Sequence, residues 1–312
     1  MSEPLTLRVP PLSAPTRLDV FLATSGTART RSQAKSWIDA GNVRVDGKTR
    51  KAGFVLDGGE AIEVRAPVEA PAHAEPEDLP LEIVYEDDEL LAIDKPAGMV
   101  VHPAPGAWRG TLVNALLHRR LVARDLSAGR PGIVHRLDKE TSGILLVART
   151  RRAQEALARA FHDRRVEKLY LAIVLGVPRA ATGSLEWTIG RHPRERKRMS
   201  IRSRSPRPAR TRYALLESFG TLSLLRLEPE TGRTHQIRVH LAAMGHPVLA
   251  DPLYGARKGR ALPARGPGRN FPRQALHAAE IRFSHPATGA LVRLEAPLPH
   301  DMRSLLEELR RG

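Results

Sequence analysis

Asp138 is the first side chain to weigh for chemistry. It lies in a knot of charge, His135-Arg136-Leu137-Asp138-Lys139-Glu140, between two apolar runs at 132–134 and 144–148 that read as strands. A carboxylate placed there has two uses. It can accept hydrogen bonds from the N–H groups of a turn, or it can act on a substrate as nucleophile or charge stabiliser. Local pattern alone favours the turn. Other chemistries are weaker still. His102, His135, His235 and His240 suggest a metal, but His235 and His240 are five apart and do not stack on one helical face. No acidic ligand stands at metal spacing beside them, so no metal site is expected. The glycine-bearing turns at 129–132 and 231–233 have neither of the phosphate-binding spacings, so no nucleotide cofactor is expected. A G-x-S-x-G elbow is absent. With zero cysteines, disulfides, thiolate metal sites and a cysteine nucleophile are excluded.

The elements that must position Asp138 can be read from periodicity. Residues 81–103 read as two strands around an acidic turn and then a Pro/Gly bend. Residues 110–121 form an amphipathic helix with Leu112, Leu116 and Leu117 inward, and 151–165 a second with Ala153, Ala156, Leu157, Ala160 and Phe161 as its stripe. Strands follow at 168–176 and near 184–190, 210–218 and 222–228; a helix grows out of 231–245; a hairpin near 280–295 and a helix over 301–309 close the chain. Strands outnumber βαβ alternations, so the expected fold class is α+β, a mixed, largely antiparallel sheet flanked by helices. Upstream, Leu18, Phe21 and Leu22 mark one short helix. A second begins near Thr30, turns Ala34 and Ile38 inward and ends at Gly41. A hairpin at 42–50 turns on Asp46-Gly47, and a strand follows at 61–64. Residues 66–80, with four prolines and four acids, read as a linker. The expected domains are therefore 1–65, the linker 66–80, and 81–312.

Charge narrows the partner. The 312 residues hold 50 Lys and Arg against 34 Asp and Glu, a formal net charge of +16. Such a chain expects a polyanion, nucleic acid before a membrane surface. No apolar run is long enough to span a bilayer, and no secretory signal opens the chain. A cytoplasmic protein fits.

Four stretches carry a resemblance. HRLDKETSG (135–143) looks like the hallmark of the RluA-type pseudouridine synthases. DKPAGMVVHP (94–103), KLYLA (168–172) and GRTHQIRVHLAAMGHPVLADPLYG (232–255) are similar to three further motifs of that family, in the right order. Residues 17–65 resemble the S4 RNA-binding module. One departure stands out: Ala250 replaces the usual Gly before Asp251. Alanine cannot follow glycine to positive φ without strain, so this turn is expected to differ slightly.

The resemblance implies an enzyme that isomerises uridine to pseudouridine in structured RNA without cofactor or metal. It implies Asp138 as the catalytic carboxylate, either attacking C1′ or promoting loss of a sugar proton. Arg238 is its partner, Tyr170 packs on the target base, Arg136 fills the space left by the flipped base, and Leu276 lines the uracil pocket. Arg29, Arg31 and Lys35 of the S4-like module would grip phosphates; alone they read as a solvated helix face. The stretch 191–212, ten basic residues with one Glu, and the Gly/Pro-rich basic stretch 258–273 extend the RNA footprint. The closest subgroup resemblance is to the RluD type, which implies large-subunit ribosomal RNA or the assembling subunit as partner. Sister targets in other ribosomal or transfer RNA, or a non-catalytic RNA-binding assembly factor, are the alternatives.

Overall fold

The structure is a computed structural model and describes residues 4–12, 14–28, 30–65, 74–104, 107–122, 131–195, 197–255 and 266–311. The chain forms two compact units, Met1–Pro71 and Ala72–Gly312.

The small unit comprises β1 (Leu5–Arg8), β2 (Thr16–Arg17), α1 (Leu18–Thr24), α2 (Arg31–Asp39), β3 (Val43–Val45), β4 (Lys48–Thr49), β5 (Val55–Leu56) and β6 (Ala61–Val64). Its main sheet runs β1-β6-β3-β4, all antiparallel, and β2 pairs with β5. Local chemistry sets the boundaries. Thr30 caps α2 by accepting the Gln33 N–H, and Gly41 at φ 78° lets the chain leave the helix. Asp46 and Gly47 both take positive φ, as a two-residue hairpin turn requires. Leu18, Leu22, Ala34, Ile38, Val43, Val45, Ile62 and Val64 are buried together.

In the large unit the order is β7 (Glu82–Glu86), β8 (Leu90–Lys95), α3 (Leu112–His118), β9 (Ser142–Ala148), α4 (Arg151–His162), β10 (Glu167–Leu175), β11 (Thr182–Arg191), β12 (Met199–Ser200), β13 (Arg207–Ser218), β14 (Leu222–Pro229), α5 (Gln236–Met244), β15 (Leu276–Ser284), β16 (Leu291–Glu295) and α6 (His300–Arg311). They build one sheet in the order β12-β11-β13-β14-β10-β15-β9-β8-β7, with β16 also on β15. Every pairing is antiparallel except β9 with β15. The α+β expectation is met.

Two cores pack on this sheet. One packs α3 and α4 against β8 and β9 through Leu112, Leu116, Ala153 and Leu157. The other packs α5 and α6 against β10 and β14 through Ile237, Leu241, Met302, Leu305 and Leu306. Each fully buried leucine contributes about 1.5–3 kcal/mol relative to an exposed one.

One expected strand is not there. Residues 132–134 make only a single bridge, Ile133 to Val147. Gly132 sits at φ 73° and packs so close to β9 that a Cβ would lie 2.3 Å from the Ala148 oxygen. The chain touches β9 once and turns into the charged knot. Within the stretch 66–80, Asn114 of α3 donates to the Glu75 carbonyl at 2.6 Å, and Glu77 N–H donates to the Asn114 carbonyl at 3.0 Å. These residues are fastened to the large unit.

Candidate active site

The charged knot is a loop held from three sides. Lys95, at the end of β8, is fully buried, and its ammonium donates to the carbonyls of Pro96 (2.7 Å), Met99 (3.0 Å) and Lys139 (3.2 Å). Burial pulls its pKa down to about 8, against the raising effect of Glu140. Gly98 N–H donates to the same Lys139 carbonyl at 2.9 Å. From the other side Arg273 donates to the Glu140 carbonyl (3.0 Å), and Gln274 donates to the Thr141 hydroxyl (2.7 Å). Arg273 is itself fixed by both oxygens of Asp301, at 2.7 and 2.9 Å. Thr141 N–H closes the turn on the Asp138 carbonyl at 3.1 Å. The backbone makes the turn, so the Asp138 carboxylate remains available.

That carboxylate faces Arg238. Arg238 Nη1 donates to Asp138 Oδ2 at 2.8 Å, while Nε and Nη2 donate to the two oxygens of Asp251 at 2.7 and 2.9 Å. The Asp251 side chain has no exposed surface, and that of Asp138 is 18% exposed. Burial alone would lower the Arg238 pKa, but the bonds to Asp251 and Asp138 override it and push it up. The guanidinium is thus a fixed cation between a buried carboxylate and one that faces the cavity.

Helix α5 delivers Arg238, and its entry loop is locked by Gln236. Gln236 Oε1 accepts from the Thr231 hydroxyl (2.6 Å) and Arg233 N–H (3.0 Å), while its amide donates to the Arg210 carbonyl (2.9 Å). This tight entry forces His235 to φ 55°, a strained region for a non-glycine residue. His235 Nε2 lies 3.9 Å from Asp138 Oδ2. Burial lowers its pKa, with Asp138 opposing.

A cavity of about 780 Å³ brings Asp138, Arg238, Tyr170, Arg136 and Leu276 together. Arg136 is exposed at its edge and Leu276 is buried in its wall. Burial, and secondarily the Asp138 charge, raises the pKa of Tyr170, so its hydroxyl stays protonated. His135, by contrast, is structural: its Nε2 accepts the Leu146 N–H at 2.8 Å and its ring stacks on Phe161 at 4.5 Å.

Several sequence expectations need adjustment. Ala250 adopts φ 56°, so the left-handed turn is kept and the strain accepted, at a cost of about 1–2 kcal/mol. Of the ten basic residues in 191–212, Arg198, Arg210 and Arg212 already face glutamates, Arg198 with Glu195 at 3.2 Å and Arg210 with Glu186 at 3.0 Å. In the small unit Arg31 donates to Asp19 at 3.1 Å, Lys35 is exposed, and Arg29 lies outside the described residues, as does 258–265 of the stretch 258–273. Sequence reasoning gave no role to Asp251, Lys95 or Arg273. For Asp251 a signal existed: it is the one acidic residue between Gly232 and Gly255.

Comparison with known proteins gives this site its context. Residues 89–243 match the RNA pseudouridylate synthase family, and residues 16–62 match the S4 domain. The chain is 45% identical to ribosomal large subunit pseudouridine synthase D of Xanthomonas campestris pv. campestris, over 99% of this chain and 95% of that one. It is 42% identical to the Escherichia coli K12 protein of the same name, over 94% and 90%. Among solved structures, human RNA pseudouridylate synthase domain containing 4 covers 73% of this chain and 93% of its own, with 27% identity and a TM-score of 0.56. The chain belongs to the RNA pseudouridine synthase family, with an S4 RNA-binding domain ahead of the synthase unit. No described helix is long and apolar enough to cross a membrane.

Proposed function

We propose that this protein converts uridines of large-subunit ribosomal RNA to pseudouridine, with Asp138 as the carboxylate acting at the target sugar. The reaction breaks N1–C1′, turns the uracil, forms C5–C1′, removes a proton from C5 and supplies one to N1. Positive charge develops on the sugar and negative charge on the departing uracil. A carboxylate beside C1′ answers the first, by covalent attack or by assisting loss of a sugar proton. Arg238 supplies the counter-charge that fixes its direction, and Asp251 fixes Arg238. Tyr170, a neutral phenol, packs on the base. A stacked uridine must be flipped out to reach this depth, and Arg136 at the cavity edge fills its place in the helix. Leu276 bounds the uracil. Lys35, Arg31 and Arg29 of the S4 unit add phosphate contacts.

The observation that carries the reading is the single guanidinium bonded to two carboxylates, one buried and one facing the cavity. The ribosomal target rests on the names of the bacterial relatives, and with it an assembling subunit as partner and the cytoplasm as the place of action. The test is Asp138→Asn, assayed by mapping pseudouridine in large-subunit ribosomal RNA. Loss of product with RNA affinity kept is expected; turnover near the wild-type rate would remove Asp138 from the mechanism.

A further inference from the structure

Tyr254 lies behind the site and joins it to the basic hairpin. Its hydroxyl oxygen accepts the N–H of Met199, in β12, at 2.8 Å. The same oxygen is 2.9 Å from His235 Nδ1. Its ring, 8% exposed, lies under two guanidiniums, with Arg198 Cζ 5.3 Å and Arg238 Cζ 5.2 Å from the centroid.

A phenol has one proton to donate. Met199 N–H already donates to this oxygen, and the phenolic proton has His235 Nδ1 as its only acceptor among the described residues. The proton therefore goes to Nδ1, which must be the bare, accepting nitrogen. In the neutral ring the other nitrogen, Nε2, then carries the hydrogen. Nε2 is the atom 3.9 Å from Asp138 Oδ2. That separation is too long for a direct hydrogen bond, but it presents an N–H pole to the carboxylate alongside the Arg238 cation. With the opposite tautomer, a lone pair would face the carboxylate instead, and the two would repel.

We propose that Tyr254 is a positioning residue: its hydroxyl selects the Nε2–H tautomer of His235, which steers the Asp138 carboxylate, and the same oxygen anchors the basic hairpin at Met199. This rests on Asp138 being the reacting carboxylate. At the N-cap of α5, where His235 is held at strained φ, both ring nitrogens have work, one toward the hairpin's anchor and one toward the cavity. It also ties docking of the Arg-rich 191–207 segment to the arrangement around Asp138 through three atoms.

The tautomer is measurable on the protein without RNA, by long-range proton–nitrogen NMR of the His235 ring. The wild type is expected to show one neutral form with Nε2 protonated; a ring protonated at Nδ1 would overturn the proposal. Tyr254→Phe keeps the ring over both guanidiniums and removes only the hydroxyl. It is expected to populate the second tautomer, to speed amide exchange at Met199, and to slow single-turnover pseudouridine formation about tenfold, the loss of one hydrogen bond. RNA affinity should change by less than about threefold, on the same footing. A Tyr254→Phe protein with the wild-type tautomer and rate, beside an inactive Asp138→Asn, would refute the role of Tyr254. An active Asp138→Asn would refute the assignment of the carboxylate instead, while the tautomer still decides what the hydroxyl does.

Discussion

Asp251→Asn tests what holds the site upright. The native carboxylate accepts four hydrogen bonds: Arg238 Nε on Oδ2 at 2.7 Å, and on Oδ1 Arg238 Nη2 (2.9 Å), Leu253 N–H (2.9 Å) and Tyr254 N–H (3.1 Å). Asparagine has one carbonyl oxygen. If that oxygen stays on the turn, the new NH₂ meets Arg238 Nε–H, donor against donor. If the amide flips, the two backbone N–H groups lose their acceptor. Either way a buried donor is stranded, and the guanidinium keeps one hydrogen bond to the Asn oxygen and Asp138 as its one carboxylate partner. Breaking a buried ion pair costs about 3–5 kcal/mol, and because Arg238 retains one partner the low end applies, about 3 kcal/mol. For a unit of this size that corresponds to a fall in Tm of roughly 6–12 °C. Asp138→Asn loses one bond at the cavity face and is expected to stay within about 1 kcal/mol of wild type while losing activity. Thermal melts of the two variants, with single-turnover assays, give the comparison. If Asp251→Asn melted within about 2 °C of wild type, the support ascribed to Asp251 would be wrong.

Gly143→Ala is expected to cost more than about 3 kcal/mol, read from the urea midpoint, because Gly143 sits at φ 109° with the Ala278 oxygen 2.2 Å from where a Cβ would be. His240 and His277 are fully buried, and burial lowers both pKa values to about 4 from 6.5. The unfolded chain therefore binds more protons between those values, so stability is complete above about pH 6.5 and falls toward pH 4, by up to roughly 3 kcal/mol per histidine. His277→Gln should flatten that slope in denaturation curves taken across the window, and an unchanged slope would count against it. Deleting residues 1–71 should leave a folded synthase unit whose log affinity for RNA depends less steeply on log salt, by about 0.7–0.9 for each phosphate no longer neutralised. If Lys35, Arg31 and Arg29 each neutralise one phosphate, the change is about two to three units, and salt titrations of both forms would measure it.

What was legible in the sequence was whatever depends on short range. The α4 stripe of Ala153 and Leu157, the start of α2 near Thr30 and the Asp46-Gly47 turn follow from spacing and side-chain chemistry, and the structure has each of them. Residues 132–134 misled because apolar content does not reveal that a chain will touch its neighbour once and leave. Asp138 was visible as a charge in an odd place, yet its surroundings were not. Asp251 stands 113 positions away, and only the fold brings Arg238 between the two. Lys95 reads as a surface lysine until three carbonyls are seen to converge on it. Ala250 shows the reverse: a departure that spacing could flag, but whose outcome depended on the turn around it.

The place of β15 in the sheet has a consequence for how the protein is made. This strand, Leu276–Ser284, lies between β10 and β9, pairing antiparallel with one and parallel with the other. The strands on the β9 side, and the loop that carries Asp138, are synthesised first; the strands on the β10 side, with Tyr170 and Arg238, come next, and α6, which also packs there, comes last. Nothing in the sheet joins these halves until a segment near the end of the chain slides between them. A growing chain can pair the strands of each half as they emerge, but it cannot close the cavity, and Leu276 in the cavity wall arrives on the closing strand itself. Non-local pairing of this kind is slow to form. The cavity therefore lacks part of its wall until β15, near the end of the chain, has been made.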